Sequence, residues 1–192
     1  MFTGIITHTG KVKKNTGSRL SIQTGLAKAL RIGDSLSVNG VCLTAASVDS
    51  AIFTAGYINE TAKRTTLADL EINDQVNLEL PATPSTFLSG HIVQGHVDGV
   101  ATLAKIEKTP TQKLLHFKIK KPLAKYLVDK GSVTLDGISL TIIKAGTGEF
   151  SVGIIPYTWN NTTFGKLRAG DKVNVEVDAL AKYAEKLLIR KS

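Results

Sequence analysis

An all-β fold is predicted by the sequence: two similar six-stranded antiparallel Greek-key β-barrels that arose by internal duplication, followed by a C-terminal α-helix. Three observations predict it. A hairpin motif occurs twice, the sequence around the two copies keeps a constant offset of 97 residues, and the hydrophobic pattern becomes helical near the end of the chain. A constant offset over such a length is typical of a duplicated domain.

The repeated motif is a short alternating strand, a two-residue turn and a second alternating strand. The turn is Asn39-Gly40 in the first copy and Asp136-Gly137 in the second. Both dipeptides tolerate the positive φ of a type I′ turn, so each copy is predicted to form a tight hairpin. Because side chains alternate along a strand, each hairpin has one apolar face and one face of small hydroxyl or thiol groups. The polar faces comprise Ser35, Ser37, Cys42 and Thr44 in the first copy and Ser132, Thr134, Ser139 and Thr141 in the second. Solvated serines and threonines explain one such face, whereas two favour a patch that hydrogen-bonds a flat polar ligand.

The repeat extends well beyond the hairpins. Residues 60–67 match 157–164, and residues 73–80 match 170–177, always at the same offset. We conclude that the chain contains one domain twice.

Each copy has five or six short strands and one short helical segment, as expected for a small antiparallel barrel. Strict alternation in residues 76–80 and 173–177 predicts a closing strand in each copy. Residues 65–70 are predicted to form a helical turn capped by a threonine. The first strand of the second copy is predicted at residues 95–97, which answer residues 4–6 at a slightly shorter offset.

The chain is divided by a segment with two prolines, residues 81–86, which has the composition of a linker. This places the N-terminal barrel at residues 1–86 and the C-terminal barrel at residues 87–178. Residues 179–192 are predicted to form an amphipathic helix outside both repeats. Its apolar residues at helical spacing are Leu180, Tyr183, Ala184, Leu187 and Leu188. This stripe packs against its own barrels or, as we favour, against a neighbouring subunit.

Composition and charge restrict the function classes. The formal net charge is +8, but the lysines are scattered and aromatic residues do not alternate with them, so we expect solvated faces and no nucleic acid partner. A single cysteine permits no intrachain disulfide and favours a reducing compartment. The N-terminal segment lacks the features of a signal peptide, and no apolar run is long enough to span a membrane. A soluble, cytoplasmic protein is therefore expected.

Reactive side chains concentrate where the two copies differ. The differing pairs are Cys42 with Ser139, Ile5 with His96, Gly33 with Lys130, and Pro81 with Asp178. Each has a structural explanation as well: Lys130 suits a solvated turn, and Asp178 suits the N-cap of the final helix. His91 is a rival of His96. One cysteine and four dispersed histidines make a metal site unlikely to form, so we expect no metal.

Several segments, in order along the chain, resemble riboflavin synthases of the α-chain type. They are MFTGII (residues 1–6), VNGVCLT (38–44), ET (60–61), SGHIVQGHVDG (89–99) and DGISLT (136–141). The resemblance implies a homotrimer that uses no metal or redox cofactor. It also implies the last step of riboflavin biosynthesis: a four-carbon unit passes between two 6,7-dimethyl-8-ribityllumazine molecules, giving riboflavin and 5-amino-6-ribitylaminouracil. Each barrel would hold one lumazine, with the active site between the N-terminal barrel of one subunit and the C-terminal barrel of the next.

The resemblance also implies the site residues. The pocket of the N-terminal barrel would comprise Phe2, Thr3, Gly4, Ser35, Cys42, Thr44, Ile58 and Thr61. The pocket of the C-terminal barrel would comprise Gly95, His96, Lys130, Ser139, Thr141, Ile155 and Asp178. The expected catalytic residues among them are His96, Ser139, Cys42, Asp178, Lys130 and Ser35, and the others bind substrate.

The roles of these residues stay open at this stage. His96 or a polarised hydroxyl could be the base that removes a proton from the 7-methyl group of one lumazine. Cys42, Ser139 or an activated water could be the nucleophile that adds to the other. Asp178 could orient the base, and Lys130 could stabilise developing negative charge.

Two other functions are compatible with the fold. A non-catalytic antenna protein would bind a lumazine or flavin without converting it, and a barrel-type nucleic-acid binder is suggested by the charge alone. The joint presence of Cys42, His96, Ser139 and Asp178 favours the enzyme. An association with lumazine synthase is a further expectation, and the short segment after Asp178 suggests a loose trimer.

Overall fold

Twelve β-strands form two closed barrels within residues 1–109 and 111–189, the part of the chain that this computed structural model describes. The strands of the first barrel are β1 (His8–Asn15), β2 (Arg19–Gln23), β3 (Ser35–Val38), β4 (Val41–Asp49), β5 (Ile52–Gly56) and β6 (Gln75–Glu79). The strands of the second barrel are β7 (Gly99–Lys108), β8 (Lys113–Ile119), β9 (Ser132–Leu135), β10 (Ile138–Ala145), β11 (Glu149–Ile154) and β12 (Lys172–Val177).

Both barrels have the same topology. The first runs β1-β2-β5-β4-β3-β6, and the second, read from β7, has the corresponding order β7-β8-β11-β10-β9-β12. Every neighbouring pair is antiparallel. The predicted duplication of a six-stranded antiparallel Greek-key barrel is therefore confirmed.

The two hairpins form in the predicted register. Ser37 pairs with Cys42 across β3 and β4, and Thr134 pairs with Ser139 across β9 and β10. The turns have positive φ at both central positions, 45° and 77° at Asn39-Gly40 and 45° and 82° at Asp136-Gly137, as a type I′ turn requires. The apolar faces are buried in the barrel cores, which leaves the polar faces on the outside.

Each barrel has its own hydrophobic core. In the first, the fully buried Phe53 of β5 packs among leucines and valines from the other five strands. In the second, the rings of Phe117 and Phe150 stack with centroids 5.4 Å apart. Since burial of one large apolar side chain contributes about 1.5–3 kcal/mol, each core is substantial for a barrel of this size.

Short helices lie between the strands, and the sequence predicted them incompletely. They are α1 (Asn59–Arg64), α2 (Lys121–Ala124) and α3 (Pro156–Asn161). The predicted helical turn at residues 65–70 is only a 3₁₀ helix, Leu67–Asp69. The strand predicted at residues 95–97 is wrong: these residues form an irregular loop, and β7 begins at Gly99.

The barrels pack against each other with approximate two-fold symmetry. Phe2 and Val93 form an antiparallel bridge, with N–H···O distances of 2.7 and 3.1 Å. At the hairpin turns, the Asn77 amide donates to the carbonyl of Asp136 (3.0 Å), and the Asn174 amide donates to the carbonyl of Asn39 (2.8 Å). These bonds are equivalent under the repeat, so the hairpin turns of the two barrels meet on the symmetry axis.

The chain ends in the predicted helix, α4 (Ala179–Ile189), which leaves the second barrel directly after β12. Residues 190–192, the end of the predicted helical segment, lie outside the described residues. Within the described ranges, the structure has no helix with the length and apolar character needed to cross a membrane.

Candidate active site

The polar faces of the two hairpins carry the candidate reactive groups. Cys42 and Ser139 are half-buried at equivalent positions of β4 and β10. Thr44 and Thr141 lie two residues further along and are exposed, and Thr44 pairs with the half-buried Ser35. The predicted site residues on strands therefore share one outward-facing surface in each barrel.

A loop from each barrel crosses to the hairpin of the other barrel. The carbonyl of Gly4 accepts a hydrogen bond from the backbone N–H of Ser139 (2.8 Å), and the carbonyl of Gly95 accepts one from Cys42 (3.0 Å). Gly4 of the first barrel therefore lies against Ser139 of the second. The Gly95-His96 loop of the second barrel lies against Cys42 of the first. The resemblance had grouped Gly4 with Cys42 and Gly95 with Ser139. Within one chain, each loop instead packs on the hairpin of the other barrel.

The crossing loops approach the hairpins so closely that only glycine fits. A Cβ on Gly4 would lie 2.5 Å from the Cβ of Ser139, and one on Gly95 would lie 2.5 Å from the Cβ of Cys42. Both glycines also have positive φ, 77° and 80°. Steric fit and backbone conformation therefore require glycine at both positions.

A buried carboxylate holds each crossing loop. Glu79 accepts from the backbone N–H groups of Thr3 (2.7 Å) and Gly4 (3.0 Å) and from the hydroxyl of Thr3 (2.6 Å). Glu176 accepts from the N–H groups of Gln94 (2.7 Å), Gly95 (2.9 Å) and His96 (3.1 Å). Burial raises the pKa of both carboxyls, and these hydrogen bonds partly offset that effect. Sequence reasoning missed both glutamates, although they occupy equivalent positions in the two repeats.

His91 is the histidine that contacts a hairpin hydroxyl. Its Nδ1 lies 2.7 Å from Ser139 Oγ, and its Nε2 lies 3.2 Å from Thr134 Oγ1. Burial lowers the pKa of His91 below its usual value, and the nearby Asp178 carboxylate partly opposes this. Sequence reasoning treated His91 only as a rival of His96.

Three other predicted residues occupy well-defined backbone positions. His96 is exposed on the loop that reaches Cys42. Asp178 caps α4, since its Oδ1 accepts from the N–H of Leu180 (2.9 Å). Lys130 is exposed in a turn with φ of 66°.

The remaining predicted residues lie at the short helices α1 and α3 and in the bridge between the barrels. Ile58 and Ile155 precede α1 and α3 and are 71% and 57% exposed, so each offers an apolar surface. Thr61 is half-buried in α1. Phe2 is buried in the bridge between the barrels.

Each polar face is partly covered by the chain itself. Ser37 and Thr134 are buried, and Cys42 and Ser139 are half-buried beneath the crossing loops. Thr44 and Thr141 are exposed, so each face keeps one hydroxyl on the protein surface.

The fold and the paired polar faces define a class of protein. Residues 3–81 and 94–178 each match the lumazine binding domain, so the chain carries this small-molecule-binding domain twice. The riboflavin synthase of Actinobacillus pleuropneumoniae is 40% identical over 196 residues, which cover 100% of this chain and 91% of that protein. The riboflavin synthase of Mycobacterium tuberculosis is 41% identical, covering 98% of both chains. The chain belongs to the riboflavin synthase family.

Solved structures show the same fold. LumP complexed with 6,7-dimethyl-8-(1′-D-ribityl)lumazine superposes with a TM-score of 0.82 and 26% identity, covering 92% of this chain and 99% of that one. LumP complexed with riboflavin gives a TM-score of 0.84, also at 26% identity, covering 93% and 100%.

Proposed function

We propose that this chain is a transferase that makes riboflavin from two molecules of 6,7-dimethyl-8-ribityllumazine. A four-carbon unit leaves one lumazine, which becomes 5-amino-6-ribitylaminouracil, and joins the other, which becomes riboflavin. The observation that carries the proposal is the near full-length identity of 37–41% to several riboflavin synthases. Two similar faces with unlike reactive groups suit a reaction in which two identical molecules have different fates.

The groups on the two faces support different roles. Cys42 supplies a thiol on one face, and the Gly95-His96 loop packs on it through the hydrogen bond from the Cys42 N–H to the Gly95 carbonyl. His91 contacts the Ser139 hydroxyl on the other face and can accept its proton, which makes that hydroxyl a stronger base or nucleophile. Lys130 supplies a positive charge for the anion that forms when a 7-methyl proton is removed. We assign Asp178 to the orientation and electrostatic support of His91.

The reaction requires two faces to meet, and we propose that a homotrimer brings them together. In the single chain, Thr44 and Thr141 of the polar faces are exposed, and an exposed isoleucine precedes the short helix of each barrel. The apolar stripe of α4 is also uncovered, with Leu180, Tyr183 and Leu187 exposed by 70%, 64% and 65%. A neighbouring copy would cover these surfaces and place the N-terminal barrel of one subunit against the C-terminal barrel of the next. Holding two reactants in register can lower the barrier by about 7–11 kcal/mol.

The direct test is to incubate the purified protein with 6,7-dimethyl-8-ribityllumazine alone. We expect riboflavin and 5-amino-6-ribitylaminouracil in equal amounts, with no added oxidant and with an unchanged rate in the presence of a metal chelator. A protein that binds the lumazine and fluoresces but makes no riboflavin would be a non-catalytic antenna protein instead, an alternative kept because LumP, which shares the fold, also binds this lumazine. Absence of binding would contradict both functions.

Two expectations about cellular context accompany this function: a cytoplasmic location and an association with lumazine synthase. Size-exclusion chromatography of the two purified proteins together tests the association. Elution of the two at their separate volumes would contradict it.

A further inference from the structure

The crossing loops make each reaction centre depend on both barrels. Cys42 belongs to the first barrel, but the loop packed on it, Gly95-His96, is held by Glu176 of the second. Ser139 belongs to the second barrel, but the Thr3-Gly4 loop packed on it is held by Glu79 of the first. The two arrangements are related by the approximate two-fold symmetry of the chain.

We propose that Glu176 and Glu79 are positioning residues of the proposed reaction, each holding a loop that packs on a reactive residue of the opposite barrel. Glu176 fixes the backbone of His96 and the contact of its loop with Cys42. Glu79 fixes the loop that lies against Ser139. The inference about the reaction rests on the function proposed above, whereas the inference about geometry does not.

The chemistry of the contacts requires a carboxylate. Both oxygens of Glu176 are used, Oε1 by Gln94 and Oε2 by Gly95 and His96, and both oxygens of Glu79 are used by Thr3 and Gly4. A glutamine has one acceptor oxygen, and its NH₂ group would face the remaining N–H donors. Such a loop must move, because a buried N–H without an acceptor is costly.

The tight glycine contacts transmit this movement to the reactive side chains. A crossing loop cannot shift towards its hairpin, since the glycines already lie in close contact with Cys42 and Ser139. It can only move away, which withdraws the Gly95-His96 loop from Cys42 in one case and the Thr3-Gly4 loop from Ser139 in the other. Asp98 lies near Glu176, and its Oδ1 accepts a hydrogen bond from Nζ of Lys182 in α4 (2.7 Å). The C-terminal helix therefore contacts the surroundings of Glu176.

The experiment compares E176Q with E79Q and uses Cys42, the only cysteine of the chain, as a reporter for one of the two centres. In the full-length protein without substrate, we expect E176Q to raise the rate of Cys42 alkylation by iodoacetamide about threefold or more, because thiol reactivity depends on access. E79Q should leave this rate nearly unchanged. The controls are E149Q and E71Q, one exposed glutamate from each barrel, which should leave it unchanged as well.

Turnover supplies the second measurement. In both E176Q and E79Q we expect kcat to fall by about tenfold or more, since a misplacement of about 1 Å can cost up to ~100-fold. A change in Cys42 reactivity with an inactive wild-type protein would reject the proposed reaction but keep the positioning role. Equal effects of E176Q and E79Q on Cys42, or a wild-type kcat in both variants, would overturn the inference.

A loss of folding is also informative. If the Gln variants are unfolded, E176D and E79D keep the charge and withdraw the oxygens by one methylene group, and they should show the same selective effect on Cys42. Four unfolded variants would assign both carboxylates to folding alone and overturn the proposal.

Discussion

At the residue scale, Lys130 has a left-handed backbone conformation, and the equivalent residue of the first barrel is a glycine. Its φ is 66°, and the equivalent turn position in the first barrel is Gly33, with φ of 93°. A non-glycine residue in this region is strained by about 1 kcal/mol. Residues held in such a conformation are enriched at functional sites, which makes Lys130 a candidate.

We expect K130G to increase the free energy of unfolding by about 1 kcal/mol while lowering kcat, because the strain and the ammonium are removed together. Denaturant unfolding and the riboflavin assay measure the two effects. The matched control is N73G, at a second positive-φ position whose counterpart is Gly170. It should leave kcat unchanged and stabilise less, since asparagine tolerates this conformation better than lysine. A K130G enzyme with full activity would remove Lys130 from the mechanism.

The pKa of His91 gives a second prediction at this scale. Burial lowers it below 6.5, and the negative charge of Asp178 raises it again in part. D178N should therefore lower the pKa of His91 further, so that the imidazole stays neutral to a more acidic pH. The change keeps the start of α4, because asparagine caps helices as well as aspartate does. NMR titration of the His91 ring measures the pKa, and an unchanged or higher value in D178N would contradict the electrostatic contact.

At the element scale, the two hairpin turns differ in one buried atom. Asn39 Oδ1 accepts from the N–H of Asn77 (2.7 Å), and Asp136 Oδ1 accepts from the N–H of Asn174 (2.8 Å). Burial raises the pKa of Asp136 to about 7 from an ordinary value of 3.8. The folded protein therefore holds this proton between about pH 4 and pH 7, whereas the unfolded chain releases it.

The sign of the resulting pH dependence follows. Because the native state binds more protons in this window, stability falls as pH rises through it, by up to about 1.4 kcal/mol per pH unit. D136N, which copies the side chain of the first turn, should remove this slope and be more stable than wild type at pH 8. Chemical unfolding between pH 4 and pH 8 measures both. N39D should introduce a similar slope, and parallel curves for D136N and wild type would contradict the assignment.

The same elements show what the sequence could predict. The hairpins were predicted to the residue because turn type and alternation are local properties. Helices α1 and α3 were missed because each has six residues and begins after an isoleucine that forms no side-chain cap. The contact of Gly4 with Ser139 joins positions 135 residues apart, so no local pattern could indicate it. For that reason the sequence indicated candidate side chains on the hairpins but could not indicate which loop packs against each of them.

At the scale of the whole molecule, polar contacts attach α4 to the second barrel, while apolar residues of the helix stay exposed. Lys125 and Tyr126 both bind Glu185, and Lys182 binds Asp98, while the stripe defined by Leu180, Tyr183 and Leu187 stays exposed. Such a stripe on a docked helix favours contact with other copies of the chain.

We expect the double variant L180Q/L187Q to dissociate into monomers and to lose most of its activity, since the two polar faces would no longer meet. Sedimentation velocity and the riboflavin assay measure these effects. K186Q, an exposed change on the same helix, is the control and should keep the oligomeric state and the activity of the wild type. A monomeric variant that still turns over would place both lumazines on one chain and contradict the intersubunit site.

The exchange of loops between the barrels has a consequence for the history of the chain. In a single-barrel ancestor that paired with an identical copy, each copy would already have packed its loop on the hairpin of the other, and the two contacts would have been identical. Fusion of two such copies into one chain would have allowed the two polar faces to diverge, so that one now carries a thiol and the other a hydroxyl. The buried glutamate and the left-handed glycine stayed the same on both sides, because each half continues to complete the other.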